Sequence, residues 1–128
     1  MGTHFVVQLE NRPGALARVA RALAERGVNI VHCAAGGAGD VGYAVLEAED
    51  DDVARDVLRS TGLPFVEGTP VTVELPDRPG ALADLAERLA AAGLDIHGLL
   101  IVGRRESRVI VAVTVDDERR AKEILGLA

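Results

Sequence analysis

The sequence predicts an α+β chain built from two copies of a βαββαβ unit, the second copy without its last strand. The first observation behind this is that Arg12-Pro13-Gly14-Ala15-Leu16 returns unchanged as Arg78-Pro79-Gly80-Ala81-Leu82, 66 residues on. The second is that the same offset aligns Leu9 with Leu75, Ala17 with Ala83, Ala20 with Ala86, Leu23 with Leu89, Gly27 with Gly93 and Ile30 with Ile96. The third is a slip to an offset of 67, which matches Tyr43-Ala44-Val45-Leu46 to Ile110-Val111-Ala112-Val113 and Val57-Leu58 to Ile124-Leu125. The slip lies between Val31 and Gly42, where a turn absorbs an inserted residue at little cost. An internal repeat of this kind sets the architecture before any single element is read.

The elements follow in order. Phe5-Val6-Val7-Gln8-Leu9 is rich in strand formers and runs into Asn11-Arg12-Pro13-Gly14, a strand-to-helix junction. Asn11 is a capping type, Pro13 suits the first helical turn, and Gly14 leaves room for another group to approach. Leu16, Val19, Ala20 and Leu23 then recur at helical spacing until Gly27 stops the helix. Asn29–Ala34 reads as a strand, Gly36–Asp40 as a flexible connection and Tyr43–Ala48 as the strand that returns, which makes a hairpin. Asp50, Asp51 and Asp52 precede Val53, Ala54, Val57 and Leu58, so carboxylates cap a second helix. Leu63–Glu67 closes the unit as a strand, and Thr69-Pro70 is the boundary.

This divides the chain into a first domain over residues 1–69 and a second over 70–128. The second repeats strand (Val71–Leu75), helix (Pro79–Ala92), strand (Asp95–Val102), turn (Gly103–Ser107), strand (Val109–Val115) and helix (Asp117–Leu125). Three residues remain after it, too few for a further strand, so one sheet edge is open or completed from elsewhere. Each half, taken alone, is a marginal folding unit, which favours a shared sheet or core.

Composition narrows the function. Apolar residues are 48% of the 128, and no apolar run nears the roughly 20 residues that span a bilayer, so no membrane partner is expected. The start Met1-Gly2-Thr3-His4-Phe5 lacks a basic segment followed by a long apolar stretch, which points to the cytoplasm. The single cysteine, Cys33, forms no internal disulfide. With a net charge of −6 and only Phe5, Tyr43 and Phe65 as aromatic residues, the chain lacks the basic, stacking surface that nucleic acid requires. Arg104, Arg105 and Arg108 read as a solvated hairpin tip.

No catalytic site emerges, because no nucleophile, base and orienting partner share a motif and no glycine loop of phosphate-cradling form is present. His4, His32 and His97 fall at non-equivalent positions of the repeat, and the three aspartates at 50–52 are accounted for as helix caps, so no metal and no cofactor are expected.

Two units with Asn/Asp-Arg-Pro-Gly between first strand and first helix, and Gly27-Val28-Asn29-Ile30 or Gly93-Leu94-Asp95-Ile96 after that helix, resemble ACT domains. The first copy is similar to the serine-sensing ACT domain of bacterial phosphoglycerate dehydrogenases. The resemblance implies a ferredoxin-like fold, with an antiparallel sheet covered on one face by helices. It also implies an effector site at an interface between two domains, close to the strand-to-helix loop. Carried onto this sequence, the ligand-binding residues are Asn11, Arg12, Pro13, Gly14, Ala15 and Leu16 with Asn29 and Ile30, and Asp77, Arg78, Pro79, Gly80, Ala81 and Leu82 with Asp95 and Ile96. Leu9 and Leu75 stand where the serine-sensing subgroup has a histidine, so an apolar effector fits as well as serine.

The chemistry is consistent with that implication. A helix start offers free N–H groups to a carboxylate, and Asn11 with Asn29 offers amides to a whole zwitterion, whereas Asp77 with Asp95 favours a cationic end. Asn11 and Asp77 serve equally as plain caps, and Arg12 and Arg78 as plain surface charges. The expectation is therefore a stand-alone, non-enzymatic regulatory module for an amino acid, as a homodimer. The alternative is a regulatory subunit that acts by contact with an amino-acid biosynthetic enzyme.

Overall fold

In the computed structural model, which describes residues 2–127, the first alternating run becomes strand β1, His4–Glu10. Its odd positions Phe5, Val7 and Leu9 enter the core of the first unit, as a period of two requires. Helix α1, Ala15–Glu25, follows and buries Val19 and Leu23. Strands β2, Ile30–Ala38, and β3, Val41–Ala48, form the hairpin. Helix α2, Asp51–Thr61, and strand β4, Phe65–Gly68, complete the unit. The strand order is β2-β3-β1-β4, and β3 runs antiparallel to both neighbours, from His4↔Glu47 to Glu10↔Val41 on one side and from Ile30↔Ala48 to Ala38↔Val41 on the other.

Ala44, Leu46 and Ala48 of β3 join Phe5, Val7 and Leu9 beneath Val19, Leu23, Ala54, Val57 and Leu58 of the two helices. Asp50 caps α2, its side chain accepting a hydrogen bond from Val53 N–H at 3.0 Å. Strand β4 is secured by Gln8 N–H donating to Pro64 C=O at 2.9 Å, by Phe65 against Phe5 with ring centroids 6.1 Å apart, and by Arg55 of α2, which pairs with Glu67 at 2.8 Å.

The chain divides between Glu67 and Gly68 into two compact units. In the second, strand β5, Val71–Pro76, helix α3, Ala81–Ala91, strands β6, Ile96–Arg105, and β7, Arg108–Val115, and helix α4, Glu118–Ile124, repeat the first five elements. Among the described residues its sheet has three strands in the order β5-β7-β6, as expected for a unit without its last strand. Val71, Val109, Val111, Val113 and Val115 pack under Leu85, Leu89 and Ala121. Asp117 caps α4 through Arg120 N–H at 3.1 Å. The fold is thus α+β, with two antiparallel ferredoxin-like sheets.

Three expectations need correction. Helices α1 and α3 start at Ala15 and Ala81 rather than at the prolines, because Pro13 and Pro79 belong to a preceding turn. The stretch from Gly36 is not a flexible connection: Gly36, Gly37 and Ala38 pair with Tyr43, Gly42 and Val41, leaving only Gly39 and Asp40 to turn the hairpin. In the same way β6 runs on to Arg105, and Arg104 and Arg105 are ladder residues. No described helix is long and apolar enough to cross a membrane.

Candidate functional site

The repeated pentapeptide is a tight turn before it is a helix. Ala15 N–H donates to Arg12 C=O at 3.3 Å, with Pro13 and Gly14 between them and Gly14 at φ 89° and ψ −10°. Ala81 and Arg78 do the same at 3.3 Å around Pro79 and Gly80, the latter at φ 89° and ψ −14°. Proline followed by a residue of positive φ near 80° makes a type II turn, which proline pre-forms and glycine permits without strain. Gly14 and Gly80 are then the N-cap residues, and no side chain caps either helix. Asn11 and Asp77 are therefore not caps, since the turn places them three residues ahead of the capping position.

Asn11 instead closes the hairpin. Its backbone N–H donates to Asp40 C=O at 3.1 Å and its Nδ2 to Gly39 C=O at 2.9 Å. The amide lies so near Gly37 that a Cβ there would stand 2.5 Å from Oδ1 and 2.7 Å from Cγ. Beside it is a hollow of about 260 Å³, bounded by Asn11, Arg12, Ala15 and Leu16 on one side and Ala35, Gly36, Gly37 and Gly42 on the other, with Leu9 and Glu10 at its base. It is smaller than the roughly 300–1,000 Å³ of drug-sized sites, the right order for a few heavy atoms. Pro13 and Gly14 shape the turn beside it. Arg12 is engaged with Glu10, Nε to carboxylate 2.6 Å, both well exposed; such a pair is weak and easily exchanged.

The residues overlooked in the sequence are Ala35, Gly36, Gly37 and Gly42. Their signal was the glycine cluster itself: two glycines, Gly37 and Gly42, face each other across the hairpin, which leaves a sheet surface without side chains. A larger groove of about 990 Å³ follows α1 past Ala17, Ala20 and Ala24, rimmed by Arg18, Arg21, Ser60 and Thr61. It is several times larger than one amino acid fills and is floored by small helical side chains, so we place the candidate site in the smaller hollow.

The second unit builds the same corner but sets a charged pair at it. Asp77 N–H donates to Ser107 C=O at 2.8 Å, as Asn11 does to Asp40. The pair Gly37↔Gly42 becomes Arg104↔Val109, and Arg104 Nε lies 3.3 Å from the Asp77 carboxylate. Arg105 pairs with Glu74, and both arginines stay well exposed, as a solvated tip requires. Arg78 donates to Pro79 C=O at 3.0 Å and to Asp84 at 3.2 Å. Ala81 is buried and Leu82 exposed. Asp77 thus has a cation of the chain's own beside it, in an exposed pair.

Asn29 and Ile30, and Asp95 and Ile96, lie at the other end of each sheet. Asn29 accepts from Glu49 N–H at 3.0 Å and its Nδ2 donates to Glu49 at 3.2 Å; Ile30 pairs with Ala48. Asp95 N–H donates to Asp116 at 3.0 Å, and Ile96 pairs with Val115. Asn11 lies past Val41 and Asn29 past Ala48, at opposite ends of the eight-residue β3, roughly 25 Å apart at ~3.3 Å per residue. Within one unit the Asn11 and Asn29 amides cannot hold one amino acid, because α1 carries the chain back along the sheet before Asn29.

That far end has its own cluster. Glu47 accepts from Gly2 N–H at 2.8 Å and lies 2.8 Å from His32 Nδ1 and 3.7 Å from His4 Nε2. Burial works against its charge, but the bonds from His32 and Gly2 and the nearby imidazoles outweigh it and hold its carboxyl below the usual range. Burial, against the opposing pull of Glu47, lowers the pKa of His4. His97 lies 3.5 Å from Asp95. Among the described residues, no three His, Cys, Asp or Glu side chains are grouped to hold a metal ion.

Comparison with known proteins agrees with the fold. The ACT domain family matches residues 3–60 and again 71–125. A Bacteroides thetaiotaomicron protein of solved structure is 23% identical, with a TM-score of 0.68 over 98% of this chain and 86% of that one. The regulatory subunits of aspartate kinase from Thermus flavus and Thermus thermophilus are 19% and 18% identical, with TM-scores of 0.63 and 0.58, covering 98% and 97% of this chain and 94% and 89% of theirs. No curated protein sequence matches the chain. With both units matched over nearly their whole length, the protein belongs to the ACT domain family and carries two ACT domains in tandem.

Proposed function

We propose that the protein is a regulatory module that binds a free amino acid at the Asn11 corner of its first ACT domain. The observation that carries this reading is the hollow itself, which lies between the start of α1 and a glycine-lined hairpin and is bordered by Asn11. The effector carboxylate faces the first N–H groups of α1, where the helix dipole favours negative charge. The ammonium takes the amide oxygen of Asn11, an acceptor that a capping role would have consumed. Leu9, Ala15, Leu16 and Ala35 give the remaining wall an apolar character, which suits a short, apolar side chain.

A thermal-shift screen with the twenty amino acids tests this. A ligand at 100 times its dissociation constant stabilises the fold by about 2.7 kcal/mol, several degrees in Tm. No shift with any of them at millimolar concentration contradicts the reading.

A second reading, that the module acts as a homodimer or as the regulatory subunit of an amino-acid biosynthetic enzyme, is favoured by strand β2. It is an edge strand of the first sheet, and Val31 and Cys33 to Ala38 are exposed, with no proline, lysine or acidic residue to block pairing. Edges of this kind recruit further strands. The fold is shared with regulatory subunits of aspartate kinase, which makes a kinase of that class a candidate partner. Light scattering of the purified protein, alone and mixed with such an enzyme, separates monomer, homodimer and complex.

A further inference from the structure

The duplication allows the protein to be compared with itself at its own site. In the first unit Gly37 faces Gly42 and the space above them is open. In the second, the same register holds Arg104 opposite Val109, and the guanidinium reaches Asp77, the counterpart of Asn11, at 3.3 Å. The two changes are matched. Asn11 to Asp77 adds a negative charge, Gly37 to Arg104 adds a positive one, and the fold sets the two 3.3 Å apart.

Both corners are therefore electrically balanced, the first by having neither charge and the second by pairing them. In the first corner the two nearby charges, Glu10 and Arg12, lie 2.6 Å apart and cancel, so the corner presents no net charge to a ligand. Resting on the effector reading above, we infer that the Arg104 side chain is a tethered plug that occupies the effector's place in the second unit. Each chain accordingly binds a single effector, at the first corner, and that effector is a net-neutral zwitterion rather than a cationic or anionic amino acid.

The test is calorimetric titration of the full chain with each of the twenty amino acids. The inference expects binding only by neutral amino acids, at one molecule per chain. Two molecules per chain, or binding confined to lysine, arginine, aspartate or glutamate, overturns the inference and leaves the effector reading intact. No binding by any amino acid overturns the effector reading, and the inference falls with it.

Two variants complete the test. Asn11→Asp with Gly37→Arg transplants the second unit's pair into the first and is expected to weaken binding at least tenfold; undiminished binding overturns the plug. Asp77→Asn, which loosens the tether in the second corner alone and does not depend on the transplant folding, is expected to leave the affinity of the first corner unchanged. A tenfold loss there would place the ligand in the second unit and overturn the inference.

Discussion

The amide of Asn11 rests on Gly37 at a distance that leaves no space for a β-carbon, since one placed there would meet Oδ1 at 2.5 Å. Because that same amide donates to Gly39 C=O at 2.9 Å, the glycine holds open both the closure of the hairpin and the wall of the hollow. Gly37→Ala is therefore expected to swing Asn11 outward, breaking the Gly39 bond at a cost of about 1 kcal/mol. Effector affinity should fall at least tenfold. Urea denaturation and ligand-induced thermal shift measure the two effects separately.

The type II turns set a second expectation. Gly14 and Gly80 both have φ 89°, and a β-carbon at Gly14 would meet nothing within 4 Å. The cost of Gly14→Ala is thus purely conformational, about 1–2 kcal/mol, and Gly80→Ala should cost the same within experimental error. A negligible effect in denaturant unfolding would show that the turn relaxes to another type.

The hairpin of the second unit carries strain that the first avoids. Glu106 has φ 57° at the position where the first unit has Gly39 at φ 62°. Glu106→Gly relieves a left-handed non-glycine residue while loosening the unfolded chain, for a net gain of about 0.5–1 kcal/mol. The melting temperature of the variant checks the sign.

Acid should destabilise the first domain through the cluster at its far end. His4 has a folded pKa below 6.5, so as pH falls below that value the unfolded chain takes up a proton that the folded one refuses, and stability declines. Glu47, with a folded pKa below 4.5, contributes stability that is present above its unfolded pKa and is lost as pH falls through the folded value. Both terms have the same sign. His4→Phe is expected to flatten the decline between about pH 7 and about pH 5, and Glu47→Gln the decline at lower pH. Denaturation midpoints measured across this range test both, and a wild-type stability that rises on acidification would contradict the account.

How far the sequence could be read depended on whether an element was local or tertiary. The repeat carried the topology, and Asp50 and Asp117 were legible as caps because capping is settled within three residues. Pro13-Gly14 is ambiguous for an equally local reason: a proline at the first helical position and a proline leading a type II turn look alike until φ of the following glycine is known. Gly36 and Gly37 looked like a loop because glycine forms strands poorly by itself. Only their partners Tyr43 and Gly42 hold them in the sheet. The pairing of Arg104 with Asp77 joins residues 27 apart, and the separation of Asn11 from Asn29 is set by the path of α1, so neither could be seen in a linear motif.

The most direct test is an amide NMR titration of the full chain with the amino acid that stabilises it most. The account predicts shifts centred on Asn11, Leu16, Gly36 and Gly37, with Asp77, Leu82 and Arg104 unmoved. Shifts centred on Asp77 to Leu82, or on Asn29 and Ile30 without Asn11, would contradict it.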